Sequence, residues 1–114
     1  MKEMGKGQSL TERELLILLA LIRLDPEAYG VPIAREIEAR AGRMVALSGV
    51  YTALERLESR GLVKSNLGEA ASVRGGRAKR YFQVTAQGVR ELRATRRALT
   101  TMWTGIPALE RGKA

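Results

Sequence analysis

The chain has 114 residues, enough for one core and too few for two, and its 45% hydrophobic content argues against a disordered polymer. It contains no His and no Cys, so the commonest general bases, nucleophiles and metal ligands are missing and no catalytic residue, metal, cofactor or disulfide is expected. Of the net charge of +8, residues 74–97 hold +7, with Glu91 as their only acid; such clustering points to a polyanionic partner, a solvated face being the plainer reading.

The first helix has a clear start. Thr11 can cap it, Glu14 follows at capping-box spacing, and Leu10 and Leu15 stand where a hydrophobic staple would. Residues 15–22 are apolar around the whole circumference, so the helix must be covered on more than one side. The domain's own core is one cover and a second chain is the expected other. The run is eight residues long, too short to span a bilayer, and residues 1–8 lack the apolar stretch of a signal peptide. No membrane association is expected, and the protein is expected in the cytoplasm. Asp25-Pro26 ends the first helix.

Tyr29-Gly30-Val31-Pro32 opens the second helix, whose Ile33, Ile37 and Ala41 are expected to face inward before Gly42 stops it. Val45-Ala46-Leu47 is short, with a brief strand as one reading. A third helix is expected to start at Ser48 as its N-cap and to end at Gly61, with Val50, Leu54 and Leu57 on one face. Its other side offers Ser48, Gly49, Thr52, Arg56 and Arg60, all small or basic. Glycine costs about 1 kcal/mol relative to alanine in a helix, so Gly49 needs a reason. Close approach to DNA is one, and lack of room against the second helix is the other. Acids such as Glu55 and Glu58 stand beside arginines and read as solvated helix pairs.

Leu62-Val63-Lys64 and Phe82-Gln83-Val84 read as two hairpin strands, with Phe82 and Val84 on the core face. Residues 68–76, with Gly75-Gly76, are expected to form a mobile wing tip between them. Thr85 caps a last helix running to about Thr104, where Gly105-Ile106-Pro107 stops it ahead of a frayed tail. A short helix with a small, basic outer face followed by a basic hairpin is the layout of a winged helix-turn-helix DNA reader. The expected fold is mainly α with a small β-hairpin: a winged helix-turn-helix at 10–85, one C-terminal dimerisation helix at 86–104, and flexible tails at 1–9 and 105–114.

Several of these pieces closely resemble the PadR family of bacterial transcriptional regulators, over roughly residues 10–104. They are Ser48-Gly49-Val50-Tyr51, Leu54-Glu55-Arg56-Leu57-Glu58, Gly61-Leu62-Val63, the stretch 81–88, and Tyr29-Gly30 followed by Ile33 and Ile37. The order and spacing of the pieces carry the likeness, since each alone occurs in many winged helices. The resemblance implies a homodimeric regulator of double-stranded DNA, most simply a repressor, of the short type with one helix after the wing.

Ser48, Gly49, Tyr51, Thr52 and Arg56 are the expected DNA contacts of the recognition helix, although Tyr51 can equally be a packing residue. Arg74, Arg77, Lys79 and Arg80 are the expected contacts of the wing. Arg90, Arg93, Arg96 and Arg97 either line the DNA flank or keep a long helix soluble. The last helix would pack on the first helix of the partner, through Leu15, Leu18, Leu19, Ile22, Leu92, Leu99, Met102 and Trp103. Trp103 either packs at that interface or, as the resemblance to some short members implies, lines a flat cavity for a small aromatic effector. Two other readings stay open: a protein-binding winged-helix adaptor, and a multidrug or phenolic sensor whose output is release of DNA.

Overall fold

The computed structural model describes residues 9–68 and 79–110. Seven elements follow one another: α1 Glu12–Leu24, α2 Gly30–Ala41, α3 Leu47–Ser59, β1 Val63–Leu67, β2 Arg80–Val84, α4 Ala86–Trp103 and the short α5 Pro107–Glu110. The fold is the expected one, a helix-turn-helix followed by a two-stranded wing and a long C-terminal helix. Most of the expected wing tip, with Arg74 and Arg77, lies outside the described residues.

α1 begins with the capping box read from the sequence. Thr11 Oγ1 accepts from the Glu14 backbone N–H at 3.0 Å, and the Glu14 carboxylate accepts from the Thr11 N–H at 2.9 Å. The helix then divides its apolar residues between two faces. Ile17, Leu18 and Leu21 enter the core, while Leu19 and Ile22 remain exposed. Leu18, expected at a subunit interface, is 0% exposed within one chain and therefore cannot reach a partner. Residues three and four apart share a helical face, so Leu18 sides with Glu14 and Leu21, and Leu19 with Leu15 and Ile22.

Ile33 and Ile37 of α2 and Val50, Leu54 and Leu57 of α3 meet that inner face of α1, joined by Leu62, Val63 and Phe82 from the wing. Ala41, expected to face inward, is exposed. Its single methyl only borders a shallow hollow with Leu16, Leu19 and Ala20. Gly42, at φ 69°, ends α2 in the left-handed region with its N–H on the Glu38 carbonyl. No strand precedes α3: residues 42–46 carry no regular element and Leu47 is already helical.

β1 and β2 pair antiparallel from Val63 opposite Val84 to Leu67 opposite Arg80, which makes both longer than their apolar pattern suggests. Ser65 and Asn66 continue the ladder opposite Phe82 and Tyr81 although neither is apolar. The Phe82 N–H donates to the Ala28 carbonyl at 2.9 Å, so the wing is fastened to the entry of α2.

Thr85 anchors α4 twice: its hydroxyl donates to the Gly61 carbonyl at 2.7 Å and accepts from the Gly88 N–H at 3.0 Å. The helix approaches the hairpin so closely that a Cβ at Gly88 would collide with the Leu62 carbonyl and Val84. Beyond α4, where a frayed tail was expected, α5 adds one turn, and the Gly105 N–H donates to the Glu110 carboxylate. Among the described residues no helix is long and apolar enough to cross a membrane.

Candidate nucleic-acid interface

α3 supplies the surface on which the site is built. Its buried side is Val50, Ala53, Leu54 and Leu57. At about 100° per residue, the line opposite that side carries Ser48, Thr52, Glu55 and Ser59, all exposed. The helix begins two residues earlier than its sequence suggests. The Val50 N–H already donates to the Ala46 carbonyl at 3.1 Å, which makes Ala46 the N-cap, and no side chain caps it. Ser48 is therefore an exposed residue of the first turn and makes no cap bond. Glu55, read as one member of a solvated pair, stands on this outward ridge with no ion pair among the described residues.

The two edges beside the ridge are held by different elements. On one, the Tyr51 ring covers Gly30 at the start of α2, where a Cβ would collide with its hydroxyl and ring. Tyr51 remains 41% exposed, so it both packs and faces outward. Lower on this edge, Ser65 of β1 donates to the Glu58 carboxylate at 2.9 Å, and Arg80 of β2 donates to the same Ser65 hydroxyl at 3.0 Å. Arg80 is thereby tied to α3 through one intervening hydroxyl. Lys79 sits 4.8 Å from the centre of the Tyr29 ring, which in turn meets Tyr81 edge-on at 5.5 Å. A cation over an aromatic face is attracted by the ring quadrupole, so Lys79 is drawn over Tyr29 at the entry to α2.

The other edge faces α1. Arg60, expected on the small and basic outer side of α3, turns inward, with its guanidinium 3.7 Å from Glu14, which is only 4% exposed. A charge this deep in an apolar core requires a partner, and Arg60 supplies it. Gly49 does not lie against α2. A Cβ there would meet the Arg13 guanidinium of α1 at 3.2 Å, so room against the second helix is not what selects glycine. Arg56 is exposed on the same edge. Glu12 of α1 binds Arg43 in the turn before α3 at 2.7 Å, and this contact raises the guanidinium pKa, first through the hydrogen bond and then through the carboxylate charge.

The described part of the basic stretch thus divides into two places. Lys79 and Arg80 stand at the wing, Arg80 linked to α3 through Ser65. Arg90, Arg93, Arg96 and Arg97 are exposed on α4, which packs on α1 and β2. Between α1 and α4 runs an open apolar groove of about 530 Å³, lined by Leu15, Leu19 and Ile22 on one side and Leu92 and Leu99 on the other, with Arg93 and Arg96 at its rim. Leu92 is nearly buried at its floor. Met102 and Trp103, 74% and 59% exposed, lie on the free end of α4 beyond the groove lining. Of the expected interface residues, Leu18 and Leu92 belong to the core, Leu15, Leu19, Ile22 and Leu99 line the groove together with Leu92, and Met102 and Trp103 stand exposed at the end of α4. Among the described residues no three acids come together in a way that could hold a metal ion.

Comparison with known proteins bears on this arrangement. The model of the transcriptional regulator PadR-like family matches residues 18–94. A crystal structure of a PadR family transcription regulator from Clostridium difficile R20291 is similar, at 26% identity and TM-score 0.69, over 81% of this chain and 91% of that one. One from Eggerthella lenta DSM 2243, also described as a PadR family transcriptional regulator, gives 27% identity and TM-score 0.67 over 89% and 86%. A transcriptional regulator from Clostridium thermocellum, at 24% identity and TM-score 0.67 over 79% and 82%, shares the fold. No curated protein sequence matches the chain.

Proposed function

The chain belongs to the PadR-like family of transcriptional regulators, and from this premise we propose that it is a cytoplasmic homodimer that binds a specific double-stranded DNA site and represses transcription there. The observation that carries the reading is the exposed ridge of Ser48, Thr52 and Glu55 beside the cations of the wing, Lys79 and Arg80. In a reader of this type the recognition helix enters the major groove and offers short polar side chains to base edges, while the wing holds phosphates.

The apolar tract along α1 and α4 supports the second half of the proposal. Leu19, Ile22, Leu99, Met102 and Trp103 are all exposed, apolar surface of the kind that an interface ordinarily covers. A second copy related by twofold symmetry covers it with the same surface, α4 of each chain lying on α1 of the other. The two recognition helices then face successive major grooves about 34 Å apart, and the operator is a palindrome with that spacing. Trp103 sits where such an interface ends, and a flat aromatic effector intercalated there would compete with the DNA-binding geometry and release the site.

Titration with salt tests the phosphate-holding part. Replacing Lys79 and Arg80 together by Ala is expected to weaken binding to every duplex alike and to flatten the log–log salt dependence by about 0.9 unit per lost phosphate contact. If the double variant keeps both its affinity and its salt slope, the wing does not face the DNA.

A further inference from the structure

We infer that Arg13 is a further DNA-contacting residue, holding a backbone phosphate on the side of the reading ridge opposite the wing. The inference rests on the DNA-binding reading above and adds a residue that lies outside the helix-turn-helix and the wing. Three consecutive charges open α1, and each has a different fate. Glu12 holds Arg43 and Glu14 holds Arg60, whereas Arg13, exposed between them, has no acid partner among the described residues. Its guanidinium lies instead along the first turn of α3, with Nη1 at 3.2 Å and Cζ at 3.5 Å from where a Cβ of residue 49 would stand. Glycine is a poor helix residue, and here its missing side chain is the space that the guanidinium occupies.

The position gives the cation its use. Gly49 and Arg56 are two helical turns apart on the same edge of α3, about 10 Å along the axis. Arg13 and Arg56 therefore make a row of positive charge on the α1 side of Ser48 and Thr52. Lys79 and Arg80 stand on the other side, where Glu58 meets Ser65. A helix seated in the major groove has a phosphate backbone along each flank, and the wing meets only one of them. Arg13 supplies the second flank near the base-reading end of the helix, and a planar guanidinium is well matched to phosphate oxygens.

Binding of the full chain to a mixed-sequence DNA duplex, followed from 50 to 200 mM salt, tests the assignment. Arg13→Ala and Arg13→Gln are each expected to lower the log–log slope by about 0.9 unit, so that this salt change weakens them roughly threefold less than the parent. Arg13→Lys should keep the slope. Gly49→Ala, which leaves the charge but displaces it, should fall between parent and Arg13→Ala. If Arg13→Ala and Arg13→Gln keep the parental slope while the Lys79 and Arg80 variant loses it, the role of Arg13 is overturned and the DNA reading stands. If the parent itself binds DNA without salt dependence, both are overturned.

Discussion

Two exposed surfaces of this molecule differ in how they are held. Around the α3 ridge, the flanking side chains are fixed within the chain: Tyr51 on Gly30, Arg80 on Ser65, Lys79 over Tyr29, Arg60 on Glu14. Along α1 and α4, Leu19, Ile22, Leu99, Met102 and Trp103 are exposed and apolar, and no side-chain hydrogen bond or ion pair among the described residues fixes them. A polar surface that must read a rigid partner gains from being preset, because ordering its side chains on contact would cost up to about 1.5 kcal/mol each. An apolar surface needs only to be covered, and its order comes from whatever covers it. On the proposed reading, one face is prepared before DNA arrives and the other is completed by a second copy of the chain.

The widest break in that comparison comes from a charge on the apolar face. Leu19→Asp places a carboxylate in the proposed interface twice, once per copy, at about 3–5 kcal/mol for each uncompensated charge. The expected outcome is a monomer by analytical ultracentrifugation and loss of specific operator binding, with nonspecific binding largely kept. A stable dimer of that variant would place the interface elsewhere.

A smaller effect is expected from the support beneath the ridge. Glu14→Ala removes both the capping bond to Thr11 and the buried partner of Arg60, and should cost about 2–3 kcal/mol of stability, read as a lower urea midpoint with unchanged slope. If the midpoint stays put, the pair does not hold α3 on α1. The smallest effect sharpens the reading ridge itself. Thr52→Ala should lose about 1 kcal/mol of preference for the selected site over unrelated DNA while leaving stability and salt slope intact. A uniform loss on all sequences would make Thr52 a positioning residue instead.

Much of the fold was legible because it follows local rules. The Thr11 box, the Gly42 stop, the Thr85 cap and the core face of Phe82 and Val84 are each announced by residues within a few positions of one another. The start of α3 is not announced, because Ala46 carries no capping group and the first polar residue is Ser48. The burial of Leu18 is not announced either, because a helix apolar on all sides does not say which face its own chain will cover. Arg60 and Arg13 were beyond sequence reasoning for another reason. Their partners, Glu14 and Gly49, are distant in the chain, and no periodicity links them. Only the packing of α3 on α1 brings them together.

That packing leaves the residues facing outward unencumbered. Ser48, Thr52 and Glu55 take part in no side-chain hydrogen bond or ion pair among the described residues, whereas Arg60 and Tyr51, on the same helix, hold it to its neighbours. Address and scaffold are thus written in separate letters of one helix. On the proposed reading, mutations at the three outward positions change the operator without the domain first having to be repaired, and a designer seeking an orthogonal regulator would randomise those three codons first.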